Sequence, residues 1–394
     1  MATVEEIAAA LRESAIDGWL FCDFRRSDPI AYRLLGLSDD LMTTRRWFYY
    51  LPAHGKPQAL VSAVEAHRLD SLPGEKLVYR RGEEIPPKLA QLTSRASRIA
   101  LNYSPRCAIP YVSRVDGGTL EIVLGLGVEV VSAADLIQRF EAPLTGAGIS
   151  SHRRAVAELR TIVDESFAYV ARTVRAGKPI SELALQEFVM SNFASRNLTT
   201  DHPPIVAAAA HSADPHFAPS AAGDLQIKPG DLLLLDLWAK EKNSDSAYGD
   251  LTWMAYVGDR VPDEYARIFS VVGAARDAAV GLIQRRVSAG EPVAGRDADG
   301  AARAVIAAAG FAEFFLHRTG HSIGREVHGN GANLDSFETD DYRNLLDRTC
   351  FSVEPGIYLV GRFGIRSEID MVIDNGAATV SAGAIQSRIV PLLR

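Results

Sequence analysis

Two carboxylate pairs recur along this chain at one spacing, and the repeat limits the folds open to it. Asp236 and Asp250 stand fourteen positions apart, as do Glu354 and Glu368, and the second pair follows the first by 118 positions at both members. Each pair is entered through an apolar run, Leu232 to Leu235 and Cys350 to Val353, and left through another, Leu251 to Val257 and Ile369 to Ile373. Such runs predict strands, so each pair is expected on a hairpin. Two turn signals, Arg175-Ala-Gly-Lys-Pro179 and Ser288-Ala-Gly-Glu-Pro292, lie 113 positions apart. In each the Gly ends one helix and the Pro prevents it from continuing. Helices are expected from about Ser151 to Arg175, from near Ser181, and from about Arg296 to Ala309. The repeating unit is therefore helix, turn, helix, acid-bearing hairpin. A pseudo-twofold between two such units would set the acid pairs face to face. The alternative is a chance match of spacings, against which turn, helix order and acid positions all agree.

The chemistry of the repeat follows from its surroundings. Asp236 lies in Leu-Leu-Leu-Leu-Asp-Leu-Trp and Glu354 in Phe-Ser-Val-Glu-Pro-Gly, contexts that disfavour an idle surface acid. Four carboxylates in buried strands are costly unless positive charge stands among them. Between the pairs lie His317-Arg-Thr-Gly-His321 and His328, and six of the nine histidines fall between positions 202 and 328, including His211 and His216 just before the first hairpin. A pair of metal ions is the economical reading. His54, His67 and His152 are read as structural or exposed. In Gly364 to Val372, alternation puts Arg366, Glu368 and Asp370 on one face and Ile365, Ser367 and Ile369 on the other.

The remainder of the chain divides near residue 142. Residues 1–141 alternate short apolar runs (Gly18–Cys22, Arg46–Leu51, Gln58–Ser62, Arg98–Leu101, Val128–Val131) with helical patterns such as Val4–Glu13 and Ser132–Phe140, which predicts an α/β domain with a mixed sheet. Residues 142–150, rich in Gly, Pro and Ser, are expected to be a linker, and 151–394 a second domain. Thr3 and Glu6 are spaced as a capping box, so the N-terminus reads as an amphipathic helix rather than a signal peptide. At 394 residues and net charge −7, without a basic run or an apolar stretch of about 18 residues, neither nucleic acid nor membrane is expected as a partner. Cys22, Cys107 and Cys350 have no metal-type spacing and suit free thiols in a reducing cytoplasm.

Asp236, Asp250, His321, Glu354 and Glu368, within Tyr248-Gly-Asp-Leu-Thr252, His317-Arg-Thr-Gly-His321, Val353-Glu-Pro-Gly356 and Ile365-Arg-Ser-Glu368, resemble the ligand motifs of the pita-bread metallopeptidases. That family comprises methionine aminopeptidase, aminopeptidase P and prolidase. Residues 1–141 resemble the N-terminal domain of the creatinase, prolidase and aminopeptidase P branch, so the resemblance covers nearly the whole chain. It implies an α/β (α+β) chain: a creatinase-like domain, then a pita-bread catalytic domain with a pseudo-twofold repeat. It also implies two divalent metal ions, for which a ligand set of carboxylate oxygen with one imidazole favours Mn(II), with Co(II), Fe(II) or Zn(II) as alternatives.

By the same resemblance Asp236 chelates one ion, Asp250 and Glu368 bridge both, and His321 and Glu354 complete the ligands of the other. A bridging hydroxide is then the nucleophile, Glu354 carries its proton, His328 and His216 stabilise the oxyanion, and His317 and Arg366 stand near the substrate. Arg366 either holds a substrate carboxylate or orients Glu368. The implied function is hydrolysis of the Xaa-Pro bond at the N-terminus of dipeptides or short peptides, by a cytoplasmic homodimer. Alternatives are an aminopeptidase P-type enzyme on longer peptides, a methionine aminopeptidase, and a creatinase-like or catalytically silent member. The N-terminal domain argues against methionine aminopeptidase, and five retained ligands argue against the last two. The chain departs from the family's pattern in four places. Asp236-Leu-Trp stands for Asp-x-Gly, Lys240 to Ser246 is a small insertion, Ile369 follows the last Glu ligand, and Arg318 replaces a common Gly.

Overall fold

The computed structural model describes residues 3–38, 43–381 and 385–394, which form two compact units, residues 1–141 and 142–394. The first is built on a mixed six-stranded sheet, β1 (Gly18–Asp23), β2 (Trp47–Pro52), β3 (Gln58–Ser62), β4 (Glu75–Tyr79), β5 (Arg98–Leu101) and β6 (Glu129–Ser132), in the order β4-β3-β2-β1-β5-β6. Helices α1 (Val4–Glu13), α2 (Pro29–Leu35), α3 (Ile85–Leu92), α4 (Gly117–Leu124) and α5 (Ala134–Glu141) cover it. The central strands run apolar without alternation because both faces are buried. Trp19 and Phe21 pack with α1, α2 and α5, while Leu20 and Cys22 pack with α3 and α4. Thr3 and Glu6 close the capping box at the start of α1, the Glu6 N–H donating to Thr3 Oγ1 at 3.2 Å and the Thr3 N–H to Glu6 Oε2 at 2.7 Å.

The second unit opens on α6 (Gly146–Arg175), so the stretch expected as a linker over 142–150 is helical from residue 146. Gly-Ala-Gly reads as a breaker, yet Thr145 caps the helix through Gly148 N–H at 2.9 Å. Next come α7 (Glu182–Ser195), β7 (Leu198–Thr199), β8 (Ile205–Ala208), β9 (Leu232–Glu241), β10 (Gly249–Tyr256), α8 (Asp263–Ser288) and α9 (Gly295–Ala308). The unit finishes with β11 (Ser322–Ile323), β12 (Thr349–Val353), β13 (Gly356–Leu359), β14 (Phe363–Arg366), β15 (Ile369–Asp374), β16 (Ala377–Val380) and β17 (Val390–Pro391). One sheet runs β17-β10-β9-β7 with β8 also on β9, another runs β11-β12-β15-β16, and β13-β14 form a separate hairpin.

Both turn signals end helices in the same way. After α6, Gly177 has φ +65°, its N–H bonding the Val174 carbonyl and that of Lys178 the Thr173 carbonyl; after α8, Gly290 has φ +68°, with matching bonds to Val287 and Arg286. The run Leu232 to Leu235 is continuous because β9 is a buried central strand. Leu233, Leu235 and Leu237 pack on the α6–α7 side, and Leu232 and Leu234 on the α8–α9 side. Asp236 therefore belongs to the face that Leu232 and Leu234 share. No helix among the described residues is long and apolar enough to cross a membrane.

Candidate active site

The ladder between β9 and β10 sets Asp236 opposite Thr252 and Asp250 opposite Trp238. Opposed residues share a face, so Asp236, Trp238, Asp250 and Thr252 point to one side. In the second half, β12 pairs β15 up to Val353↔Ile369 and β13 resumes on β14 from Gly356↔Arg366, in one register. Glu354 and Glu368 are thus level with each other at the junction of the two ladders. The inserted loop has a place of its own. Lys240 and Glu241 lengthen β9 and pair with Thr199 and Leu198 of β7, and Ser246 Oγ closes the turn on the Glu241 and Asn243 carbonyls at 2.6 and 2.7 Å.

These strands bring together most of the residues marked in the sequence. Asp250, His321 and Glu368 each offer one ligand atom within a group spanning no more than 4.8 Å. His321 Nε2 lies 3.6 Å from Asp250 Oδ2 and 3.6 Å from Glu354 Oε1. Arg366, 4% exposed, donates from Nε to Thr252 Oγ1 at 2.9 Å, from Nη1 to the Pro215 carbonyl at 3.2 Å, and from Nη2 to Asp236 Oδ2. Thr252 Oγ1 in turn donates to Glu368 Oε2 at 2.6 Å. Asp370 accepts the Asp250 N–H at 2.8 Å. The three acids and bases on one face of 366–370 are buried, not a solvated edge.

The electrostatics record how crowded the acids are. Burial pushes Asp250 and Glu368 well above the ordinary carboxylate range, and the neighbouring carboxylates push the same way. Asp236 is also raised by burial, against the pull of Arg366. Glu354 is raised to about 7 by burial, again opposed by Arg366. His321 is held well below its usual value by burial and then by His328, so its ring is neutral and offers a lone pair. Asp236 Oδ1 and Asp250 Oδ1 are buried with no hydrogen-bond partner among the described residues. Lone pairs of carboxylate oxygen and imidazole nitrogen converging without donors are what a divalent cation requires, and its charge would relieve the repulsion. The residues present fit a metal centre.

The loop carrying His317 and His321 is fixed by Asp299, fully buried on α9. Its Oδ1 accepts from the Thr319 N–H and Oγ1 at 2.9 and 2.6 Å, and its Oδ2 from the Ser336 N–H and Oγ at 2.9 and 2.6 Å. Gly320 must be glycine, since a Cβ there would meet the Ser352 carbonyl oxygen at 2.0 Å. His317 bonds the Arg318 carbonyl through Nδ1 at 2.6 Å and Tyr358 OH through Nε2 at 2.8 Å, and burial lowers its pKa to about 3. His328 stands edge-on to His321, ring centroids 4.3 Å apart, with its outer part exposed. Partial burial and Arg318 lower its pKa, though with that much solvent contact the drop is smaller than for His321. His216 is exposed and close enough to Asp236, His317 and His328 to act on each electrostatically, which places it at the rim of the cluster.

Four contributors carried no sequence signal of their own. Thr252 lies in the apolar run after Asp250, and only the register reveals it opposite Asp236. Tyr358 and Asp299 act through His317 and Thr319. His152, read as structural or exposed, is fully buried on α6; Nδ1 bonds the Tyr248 carbonyl at 2.5 Å and Nε2 the Ser381 hydroxyl at 2.7 Å, which ties the start of β10 to the end of the second half.

Comparison with known proteins agrees with this geometry. Residues 154–375 match Metallopeptidase family M24. A probable dipeptidase PepE of Mycobacterium tuberculosis (strain ATCC 25618 / H37Rv) is 30% identical over 277 residues, 69% of this chain and 67% of that protein. An Xaa-Pro dipeptidase of Lactobacillus delbrueckii subsp. lactis is 33% identical over 193 residues, 48% of this chain and 44% of that protein. Among solved structures, dipeptidase PepE from Mycobacterium ulcerans superposes with a TM-score of 0.71 at 24% identity, covering 98% of this chain and 96% of that one. A prolidase from Thermococcus sibiricus gives 0.64 at 22% identity, covering 98% of each chain. The fold is that of the pita-bread prolidases, and the chain, an enzyme, belongs to metallopeptidase family M24.

Proposed function

We propose that this metallopeptidase uses two divalent ions, Mn(II) by preference, held by Asp236, Asp250, His321, Glu354 and Glu368, to hydrolyse the Xaa-Pro bond of dipeptides and short peptides. The observation that carries the metal reading is the convergence of Asp250, His321 and Glu368 within 4.8 Å, with buried oxygens of Asp236 and Asp250 left without donors. The Xaa-Pro reading rests on the Lactobacillus relative's name and on the family resemblance. When bound, a pair of such ions lowers the pKa of water and polarises a carbonyl.

The chain's own residues do the rest. Glu354, with 13% of its side chain exposed against 5–9% for His321, Asp250 and Asp236, is the ligand nearest to solvent. From that position it takes a proton from water and returns it to the departing proline nitrogen, which needs one to leave as an amine. The Xaa-Pro amide carries no N–H, so recognition falls on the free amino end and the carbonyl. His328 and His216 offer ring N–H groups to the developing oxyanion, a role worth about 10²–10³ in rate. His317, neutral and tied to Tyr358, lines the substrate side. For Arg366 the engagement of Nε, Nη1 and Nη2 favours a positioning role: it orients Asp236 directly and Glu368 through Thr252. The homodimer is carried by the family resemblance, and the cytoplasmic setting by three cysteines that are all free thiols.

An assay on chelator-stripped protein, with and without added Mn(II), tests this with Ala-Pro, Ala-Pro-Ala and Met-Ala-Ala side by side. Metal-dependent cleavage of Ala-Pro, faster than of Ala-Pro-Ala, is expected. Preference for the tripeptide would make the enzyme an aminopeptidase P type, and cleavage of Met-Ala-Ala alone would overturn the proline reading.

A further inference from the structure

Away from the acid cluster, the catalytic unit holds a cavity of about 510 Å³ between α8 and the segment 386–394. Four arginines line it, Arg260, Arg276, Arg388 and Arg394, against one acid, Asp277, in a chain whose net charge is −7. Arg276 is 3% exposed. Its Nε and Nη2 pair with Asp277 at 2.9 and 2.8 Å. Arg260 leans on the exposed Asp263 at 3.1 Å, and Arg394 Nε donates to the Asp259 carbonyl at 3.1 Å. Arg388 is exposed and has no side-chain partner among the described residues. Phe269 and Ile389, both buried, give the cavity apolar wall.

Arg260 and Arg276 each have a carboxylate beside them, and an anion in the concavity would offset the charge of Arg388 and Arg394, which have none among the described residues. Guanidinium groups bind phosphate bidentately, and the volume falls in the range of small-ligand pockets. The walls also reach the reacting end of the unit. Arg276 Nη1 donates to Ser367 Oγ at 2.6 Å, and Ser367 stands between Arg366 and Glu368. Gln386 clamps Met254, accepting its N–H at 2.9 Å and donating to its carbonyl at 2.7 Å, four residues beyond Asp250. The strand that carries Asp250 and the segment that carries Glu368 are therefore both hydrogen-bonded to residues of this cavity.

We propose that the cavity is a regulatory site for a small organic phosphate. An occupant contacting Arg276 competes with Asp277 for its guanidinium and acts on the bond to Ser367. The probe is adenosine monophosphate, titrated calorimetrically into the metal-loaded protein, with inorganic phosphate as the comparison. Saturable binding of one molecule per chain is expected, with inorganic phosphate about tenfold weaker because it reaches no apolar wall. Arg388→Ala and Arg260→Ala should each weaken adenosine monophosphate by about tenfold while leaving peptidase activity without it unchanged. Saturating nucleotide should change kcat on a proline dipeptide by about twofold or more in the parent protein and not in these variants. Absence of saturable binding, binding undiminished by both substitutions, equal affinity for inorganic phosphate, or a bound nucleotide that leaves kcat unchanged would each overturn the proposal. The titration needs no turnover, so its failure is distinguishable from failure of the peptidase reading.

Discussion

In the β9–β10 hairpin Asp236 faces Thr252 and Asp250 faces Trp238, so the two acids are staggered and each has a neutral residue across the ladder. In the second half Glu354 and Glu368 stand level with each other. The fourteen-residue spacing is the same in both, but relative to its acids the first turn is centred one residue later, which shifts the pairing by two positions, and a hairpin's turn sets its register. Directly opposed like charges repel more than staggered ones. The compensation is arranged accordingly. Thr252, from the staggered hairpin, gives its hydroxyl proton to Glu368, while Arg366, from the opposed half, reaches back to Asp236. Neither hairpin is self-sufficient: each supplies the donor that the other's acids need.

If the opposed pair supplies the proton carrier, Glu354→Gln should keep the fold and lower kcat on a proline dipeptide by about a thousandfold, and Asp250→Asn should lose metal as well as activity. Near-normal rates from either variant would contradict the proposed roles. Removing the cross-hairpin cation is expected to be costly in stability. Arg366→Ala leaves Asp236 buried without its partner and should lower unfolding free energy by about 3 kcal/mol or more in metal-free protein, measured by urea denaturation. A loss below about 1 kcal/mol would mean that the hairpins do not depend on each other in this way.

The pH dependence sharpens the comparison, because His152 ties the two halves together. Its folded pKa, about 4, lies below the ordinary 6.5, since burial opposes the charged ring more than the Tyr248 carbonyl favours it. The unfolded chain then binds the proton more readily than the native protein between those values. Stability from this group is full above pH 6.5 and is lost as pH falls toward 4, on the order of 3 kcal/mol. Denaturation at pH 7.5 and 5, for the parent and for His152→Gln, isolates this group; equal pH sensitivity in both proteins would rule it out as the clamp. The smallest effect is expected for Thr252→Val, which keeps the shape and deletes the bond to Glu368. A loss of about 1–2 kcal/mol in metal-free protein is expected, and much less once metal occupies the acids.

Much of this was legible in the chain because the signals were chemical. The buried acids announced themselves by apolar neighbours, and the paired Ala-Gly-x-Pro turns marked where α6 and α8 end. What was not legible depended on pairing. The offset register cannot be read from a spacing, and Thr252 looks like any strand threonine until Asp236 is placed opposite it. The strand β4 (Glu75–Tyr79) was missed because it is a half-exposed edge whose Glu75 and Lys76 break the apolar pattern. The first turn of α6 was hidden by its glycines, which Thr145 overrides. His152 is structural, one of the two readings open to it, but a lone histidine shows neither its burial nor its partners.

The central claim is that these carboxylates are gathered to hold two cations. Equilibrium dialysis of the chelator-stripped protein against Mn(II), with bound metal counted by mass spectrometry, tests it directly. About two ions per chain at saturation and a marked loss in Asp250→Asn are expected. No tightly bound metal, or binding undisturbed by Asp250→Asn, would contradict it.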